Sequence, residues 1–407
     1  MPSITTDAEL AGFSLAPGFQ SAATACGLKK SGALDLAMIW SDAPCTGAGV
    51  FTTNRVQAAP VRIDRERITS HAAQLRGIIA NAGCANAVTG ARGLEDARRM
   101  CEWAAAAVNA QPEELLVLST GVIGVFLDME RVASGVASLQ GAGALRSAGD
   151  AARAILTTDT RAKIATAVAA LEPAPVHLAG FAKGAGMIHP NMATMLAVVT
   201  TDARISPARL DRSLRAAVSH SFNRICVDGD MSTNDTLLVL ASGVAGTRID
   251  DSNEETFTAA LTEVCASLAR QIARDGEGAT RLVELRVTGA ATEPQAHRVG
   301  DAIACSPLVK TAIHGCDPNW GRILAAAGYS GEPILPDRVR LWFGEGDEVQ
   351  LLECGLPTTF DRARASALLR EDPAIAHIDL GLGRESATLW TCDLSAEYIR
   401  INADYTT

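Results

Sequence analysis

Apolar positions along the chain alternate between helical and strand spacing. The clearest helical stripe runs through Glu254–Arg274. There Phe257, Leu261, Val264, Leu268 and Ile272 share one face, behind an Asp250-Asp251-Ser252-Asn253 start and ahead of Gly276 as a stop. Leu94, Ala97, Cys101, Ala104 and Val108 predict a second helix over Leu94–Asn109. Ser206-Pro207 and Ser306-Pro307 each place an N-cap residue before a proline suited to a first helical turn. Ala33–Trp40 and Gly77–Ala80 read as strands, as do the alternating sets Val283, Leu285, Val287 and Val339, Leu341, Phe343. Leu115–Leu118 is a short apolar run ending in Ser119-Thr120-Gly121, a strand entering a turn. The Ala-rich stretch 132–154 reads as a surface helix and loop. Elements mixed in this order predict α/β or α+β layers, without internal repeats, heptads or a low-complexity linker.

Composition narrows the classes. A chain of 407 residues that is 48% hydrophobic and 20% charged can bury a large core, which excludes global disorder. Its length predicts two domains, or one large α/β domain with an appendage. Lys+Arg 36 against Asp+Glu 46 gives a net charge of −10, and no basic stripe interrupts that balance, so nucleic acid is excluded as a partner. The longest uncharged stretch, Gly184–Thr201, contains His189, Pro190 and Asn191, and hydrocarbon tolerates few such residues; no membrane span is expected. The N-terminus carries acids where an export signal has positive charge, and a cytoplasmic chain is expected.

Common site patterns are missing from the sequence: there is no GxSxG, HExxH, GxxxxGK[ST] or strand-linked GxGxxG. The ten cysteines form no CxxC pair and read as reduced, mostly buried small hydrophobes. The seven histidines fall without metal-ligand spacing, so no metal is expected. The acidic run Val227–Thr236 fails the EF-hand spacing, with Gly229 too early and Val239 in place of the bidentate Glu; it reads as a self-hydrogen-bonded Asx-rich turn. Ala182–Leu196 places Gly184, Gly186, Pro190 and Asn191 ahead of Thr194 and an apolar run, Met195–Val199. Local chemistry leaves two readings there, an ordinary loop into a strand or a backbone forced into an unusual conformation just before one.

Longer motifs go further. K-G-A-G-M-I-x-P-N-M-A-T-M-L at 183–196, S-T-G-V-I-G at 119–124, S-T-N-D-T at 232–236, D-P-N-W-G-R at 317–322 and the final Asn402–Thr407 occur in order across essentially the whole chain. In these the sequence resembles the ornithine acetyltransferases, the bifunctional glutamate N-acetyltransferase/amino-acid acetyltransferase family of arginine biosynthesis. The resemblance implies a layered N-terminal-nucleophile-like sandwich with a smaller C-terminal α/β part from about 281 to 395. It also implies self-cleavage at Ala193–Thr194 into chains 1–193 and 194–407, two of each forming a heterotetramer.

By the same resemblance Thr194 is the nucleophile, and its freed α-amine acts as its base, with a reference pKa of about 7.7–8.0. Thr120 and Gly121 match the oxyanion-stabilising pair. Thr157, Lys183, Thr194, Glu277, Asn402 and Thr407 match substrate contacts, Lys183 suiting a carboxylate and Glu277 an ammonium. The implied reaction moves acetyl from N2-acetylornithine to L-glutamate through an acetyl-Thr194 ester. It uses no cofactor, and acetyl-CoA is a second donor in some members. Two departures, Ile313-His314-Gly315-Cys316 and Met231, bear on donor and acceptor scope and touch neither nucleophile nor oxyanion pair. The competing classes are an N-terminal-nucleophile aminopeptidase or amidohydrolase and a noncatalytic amino-acid binding protein.

Overall fold

A computed structural model describes residues 5–140, 146–189 and 195–404, so Ala193, Thr194 and Thr407 lie outside the described residues. The first sheet holds β1 (Gln20–Thr24), β2 (Leu36–Phe51), β3 (Leu75–Cys84), β4 (Leu115–Val122), β5 (Lys163–Ala169), β6 (Val176–Lys183), β7 (Leu196–Thr201) and β8 (Thr236–Ala241). Their order is β4-β3-β2-β8-β7-β6-β5, with β1 paired to β2. β2 is the hinge of this sheet. Leu36–Trp40 pairs with β3, the register shifts between Trp40 and Cys45, and Thr46–Phe51 pairs with β8. A bulge of this kind bends a strand and increases its twist. The strand expected over Ala33–Trp40 thus runs on to Phe51: Pro44, Gly47 and Gly49 disfavour a strand locally, and pairing with Leu237–Leu240 overrides that preference.

The two halves of the sheet face each other. Ile39, Ile78, Leu116 and Leu118 share one apolar cluster with Phe181, Val198, Leu238 and Leu240. Strand alternation sends the intervening residues outward. Met38, Ile79, Leu115 and Val117 pack with Ala97, Met100 and Ala104 of helix Gly90–Val108. Ala197, Val199, Leu237 and Val239 pack with Leu210 and Leu214 of Pro207–Ser219 and with Phe257, Leu261 and Val264 of Glu254–Arg274. The result is a four-layer helix–sheet–sheet–helix sandwich whose strands are apolar on both faces, each large side chain contributing about 1.5–3 kcal/mol on burial. The expected surface helix and loop at 132–154 is corrected. It forms helices Met129–Leu139 and Ala148–Ala154, with Val132, Ala151 and Ala154 fully buried, because small alanines let those helices lie close against β1 and β2.

A second, six-stranded sheet contains β9 (Leu282–Ala290), β10 (Arg340–Phe343), β11 (Val349–Glu353), β12 (Leu356–Pro357), β13 (Ala374–Asp379) and β14 (Glu385–Cys392), in the order β12-β11-β10-β13-β9-β14. Helix Glu293–Ala304 covers it, with Val299 and Ile303 meeting Leu285 and Leu389 in one cluster. Among the described residues no helix is long and apolar enough to cross a membrane.

Candidate active site

The end of β4 is shaped for close backbone approach. Thr120 is buried, and Gly121 follows with φ +131°, opposite Gly83 at φ +110°. Asn234 ties this point together: its side-chain amide donates to the Ala85 carbonyl at 2.7 Å and to the Ser119 carbonyl at 2.8 Å. Ser119 in turn donates from its hydroxyl to Asn81 Oδ1 at 2.6 Å. The segment Ser119-Thr120-Gly121, expected as a strand entering a turn, therefore lies inside β4, which runs on to Val122.

Lys183 ends β6 and is buried. Its neighbour Asp159 organises a charged network. Lys163 Nζ contacts both Asp159 and Asp275, the latter at 2.6 Å, and the backbone N–H groups of Thr157 and Gly184 donate to Asp159. Burial alone would raise the Asp159 carboxyl, yet the Lys163 and Lys183 ammonium groups hold it well below the ordinary carboxylate range. Burial pushes the Lys183 ammonium down, with Asp159 opposing. Asp159 Oδ2 lies 3.9 Å from Lys183 Nζ, beyond hydrogen-bond length, so the Lys183 ammonium is presented to the adjoining space.

Glu277 comes just after helix Glu254–Arg274. Its N–H donates to the Ala185 carbonyl at 2.8 Å, and Asn402 on helix Ala396–Asp404 donates to Glu277 Oε2 at 2.8 Å. Gly186 leaves room for the Glu277 carboxylate, which a Cβ there would approach to 2.5 Å and displace. Thr120, Gly121, Thr157, Lys183, Glu277 and Asn402 thus line a single cavity of about 240 Å³. A wider depression of about 710 Å³, between residues 5–14 and the helix bearing Arg270, contains none of them. The cavity is small, carries one buried cation and one carboxylate, and suits an amino-acid-sized zwitterion.

Several groups were given no role in the reading from sequence: Asn234, Ser232 and Gly186 line the cavity, Asp159 lies buried behind Lys183, and Asp228 and Asp235 brace the chain beside it. The self-hydrogen-bonded turn expected over Val227–Thr236 is present, Asp230 N–H donating to Asp228 Oδ1 at 3.2 Å and Asn234 N–H to Ser232 Oγ at 3.0 Å, but the run also holds other segments. Asp228 accepts from the N–H groups of Met187 and Ile188 at 2.5 and 2.8 Å, and Asp235 accepts from Met195 N–H at 3.0 Å. These carboxylates therefore grip the backbone on both sides of residues 190–194. Burial raises both carboxyls, Asp235 well above the usual range. The departures from family pattern lie off the cavity: His314 Nδ1 meets Asp393 at 2.7 Å, and Met231 Sδ accepts from Thr53 Oγ1 at 3.4 Å.

Substituting Asp159 by Asn should cost about 3 kcal/mol, since it leaves buried ammonium groups undercompensated. Because the Asp159 carboxyl is depressed in the folded state, its contribution is complete above its unfolded pKa of about 3.9 and disappears as pH falls through the folded value. Urea melts from neutral to acidic pH should show the variant less stable at neutrality and the gap closing below about pH 4. An equal gap at every pH would contradict this network.

Comparison with known proteins follows the same lines. A family model described as the ArgJ family matches residues 20–407. The arginine biosynthesis bifunctional protein ArgJ of Symbiobacterium thermophilum is 48% identical over 404 residues, covering 98% of this chain and 99% of that protein. The Geobacter sulfurreducens protein of the same name is 48% identical over 394 residues, covering 96% and 99%. Among solved structures, arginine biosynthesis bifunctional protein argJ from Bacillus halodurans shares 44% identity, covers 51% of this chain and 97% of that chain, and aligns with a TM-score of 0.49.

Proposed function

The chain belongs to the ArgJ family, and on that premise we propose that it is a self-cleaving threonine-nucleophile acetyltransferase that moves acetyl from N2-acetylornithine to L-glutamate. The observation that carries this reading is the convergence of Thr120, Gly121, Thr157, Lys183, Glu277 and Asn402, from five separate segments, on one cavity.

Maturation begins with the Thr194 hydroxyl attacking the Ala193 carbonyl. The N-to-O acyl shift gives an ester, and water releases residues 1–193 from a new N-terminal Thr194. In the first half-reaction the α-amine takes the hydroxyl proton as Oγ attacks the acetyl carbonyl of acetylornithine. The tetrahedral oxyanion is met by the Thr120 hydroxyl and the Gly121 N–H. Collapse breaks the amide C–N bond, the α-ammonium returns its proton to the leaving nitrogen, and ornithine departs. Glutamate's amine then attacks the acetyl ester by the same steps in reverse, releasing N-acetylglutamate and free Thr194. Acetyl-CoA serves as an alternative donor of the first half-reaction.

Strand order explains why cutting the chain does not dismantle the site. β7, from the second product, lies between β6 of the first and β8 of the second, and β8 pairs with β2 of the first. Hydrogen-bonded ladders thus hold the two products together, and the heterotetramer is built from such pairs. Both should co-purify and separate only in denaturant.

Glutamate-dependent acetyl transfer from acetylornithine, with acetyl-CoA as a parallel donor, tests the assignment. Acetyl release to water much faster than to glutamate would favour an aminopeptidase or amidohydrolase. Lys183→Ala should lower kcat/KM by about 10- to 100-fold, the equivalent of roughly 1.5–3 kcal/mol for a lost charged contact, while the protein stays folded. Unchanged kinetics would remove Lys183 from substrate binding.

A further inference from the structure

A group of side chains outside the cavity plays no part in acetyl transfer. His189 lies just ahead of residues 190–194. Cys226 follows the bridge between Ile225 and Trp390. Asp301 and Cys305 stand one helical turn apart, Cys305 as the C-cap of Glu293–Ala304. One ligand atom from each of His189, Asp301 and Cys305 lies within 4.8 Å of the other two. His189 Nε2 is 3.7 Å from Asp301 Oδ2, and Cys305 Sγ is 3.5 Å from Asp301 Oδ1 and 2.7 Å from Cys226 Sγ.

We propose that His189, Cys226, Asp301 and Cys305 form a structural site for a zinc-type divalent cation. Tetrahedral zinc with bonds of about 2.0–2.3 Å sets its donors about 3.3–3.8 Å apart. The His189–Asp301 and Asp301–Cys305 separations, taken to the two different carboxylate oxygens, already fall in that range; Cys226 touches Cys305 but does not lie within 4.8 Å of all three other donors, so its sulfur must swing inward to join them. The two sulfurs must also open by about 1 Å to reach it, and Cys305, partly exposed at a helix end, can move with it. Two thiolates, an imidazole and one carboxylate select zinc over magnesium or calcium, and four protein donors close the coordination sphere as structural sites do. Binding displaces both thiol protons and leaves one excess negative charge. Buried Lys310 offsets it: held by Thr391 Oγ1 and the Cys392 carbonyl, it is in no ion pair among the described residues, and its charge acts on Cys226. A Cys226–Cys305 disulfide would use neither His189 nor Asp301, which is why the ion is the better account of the four together.

The location gives the site a task. Val227 N–H donates to the Ile188 carbonyl at 2.8 Å, so the ion would fasten the chain ahead of residues 190–194 to a helix on the second sheet. A role in maturation rests on the Ala193–Thr194 reading; ion binding does not.

The test uses the full-length protein, reduced, stripped with chelator and then given zinc. Elemental analysis should find about one zinc per chain, as one four-donor site holds one ion, and cobalt in its place should show thiolate charge-transfer and tetrahedral d–d absorption. Cys305→Ser and Asp301→Asn should weaken binding at least as much as the about 10- to 100-fold that losing an outer-shell partner costs. Cys354→Ser, which changes an exposed cysteine elsewhere, should bind as wild type does. The proposal is overturned if reduced protein takes up no zinc, if Cys305→Ser binds it unchanged, or if peptide mapping of protein made without reductant shows Cys226 and Cys305 mainly as a disulfide.

Discussion

Thr194→Ala should give a single 407-residue chain with no acetyl transfer, where the wild type yields pieces of 193 and 214 residues. The substitution removes the hydroxyl together with the γ-methyl, and with the hydroxyl two functions. Without the hydroxyl nothing attacks the Ala193 carbonyl, so the α-amine that serves as base is never released, and no acyl ester can form. Losing the nucleophile of a covalent mechanism typically costs on the order of 10⁶-fold in kcat, so residual turnover should be undetectable. Thr194→Ser retains the hydroxyl and should still split and turn over. Intact-mass measurement and the glutamate-dependent transfer assay read the two effects independently. An unsplit yet active wild type, or transfer by Thr194→Ala, would refute the threonine-nucleophile mechanism.

What the sequence made legible was mainly what repeats locally. Helix Glu254–Arg274 and strand β9 follow from periodicity because each buries one continuous face, and periodicity records faces. The second half of β2 was not legible, since its pairing is decided by strands almost 200 residues away. The site divides the same way. Thr120, Gly121, Lys183 and Glu277 were named only through motif resemblance, since local chemistry read S-T-G as a strand entering a turn, and the structure brings the four to one cavity. Asp159 and Asn234 were missed because their task is to hold other groups in place: one gathers lysines from two strands, and the other joins the ends of β3 and β4. The His189, Cys226, Asp301 and Cys305 cluster comes from three segments, so no linear spacing announces it.

The second large effect is expected at Gly121. Its φ of +131° lies where side chains are rarely accommodated, and a Cβ there would sit 2.4 Å from the Gly83 carbonyl carbon and 2.6 Å from the Cys84 nitrogen. Both are backbone atoms of β3, which Asn81 and Asn234 hold in place, so neither can simply rotate aside. Gly121→Ala must therefore push β4 away from β3 and carry the Gly121 N–H with it, moving that donor from the point where the proposed mechanism develops its oxyanion. Loss of one such donor costs about 2.7–4 kcal/mol, or about 10²–10³ in kcat. Strain and overpacking should remove a further 1–3 kcal/mol or so of stability. Thr120→Val separates the two consequences, because it deletes only the hydroxyl within a nearly unchanged shape. It should lower kcat by about 10²-fold with little change in KM. Losses confined to KM would place Thr120 and Gly121 in ground-state binding. If instead Gly121→Ala melts like wild type and keeps its kcat, the close approach of β3 and β4 has no part in catalysis.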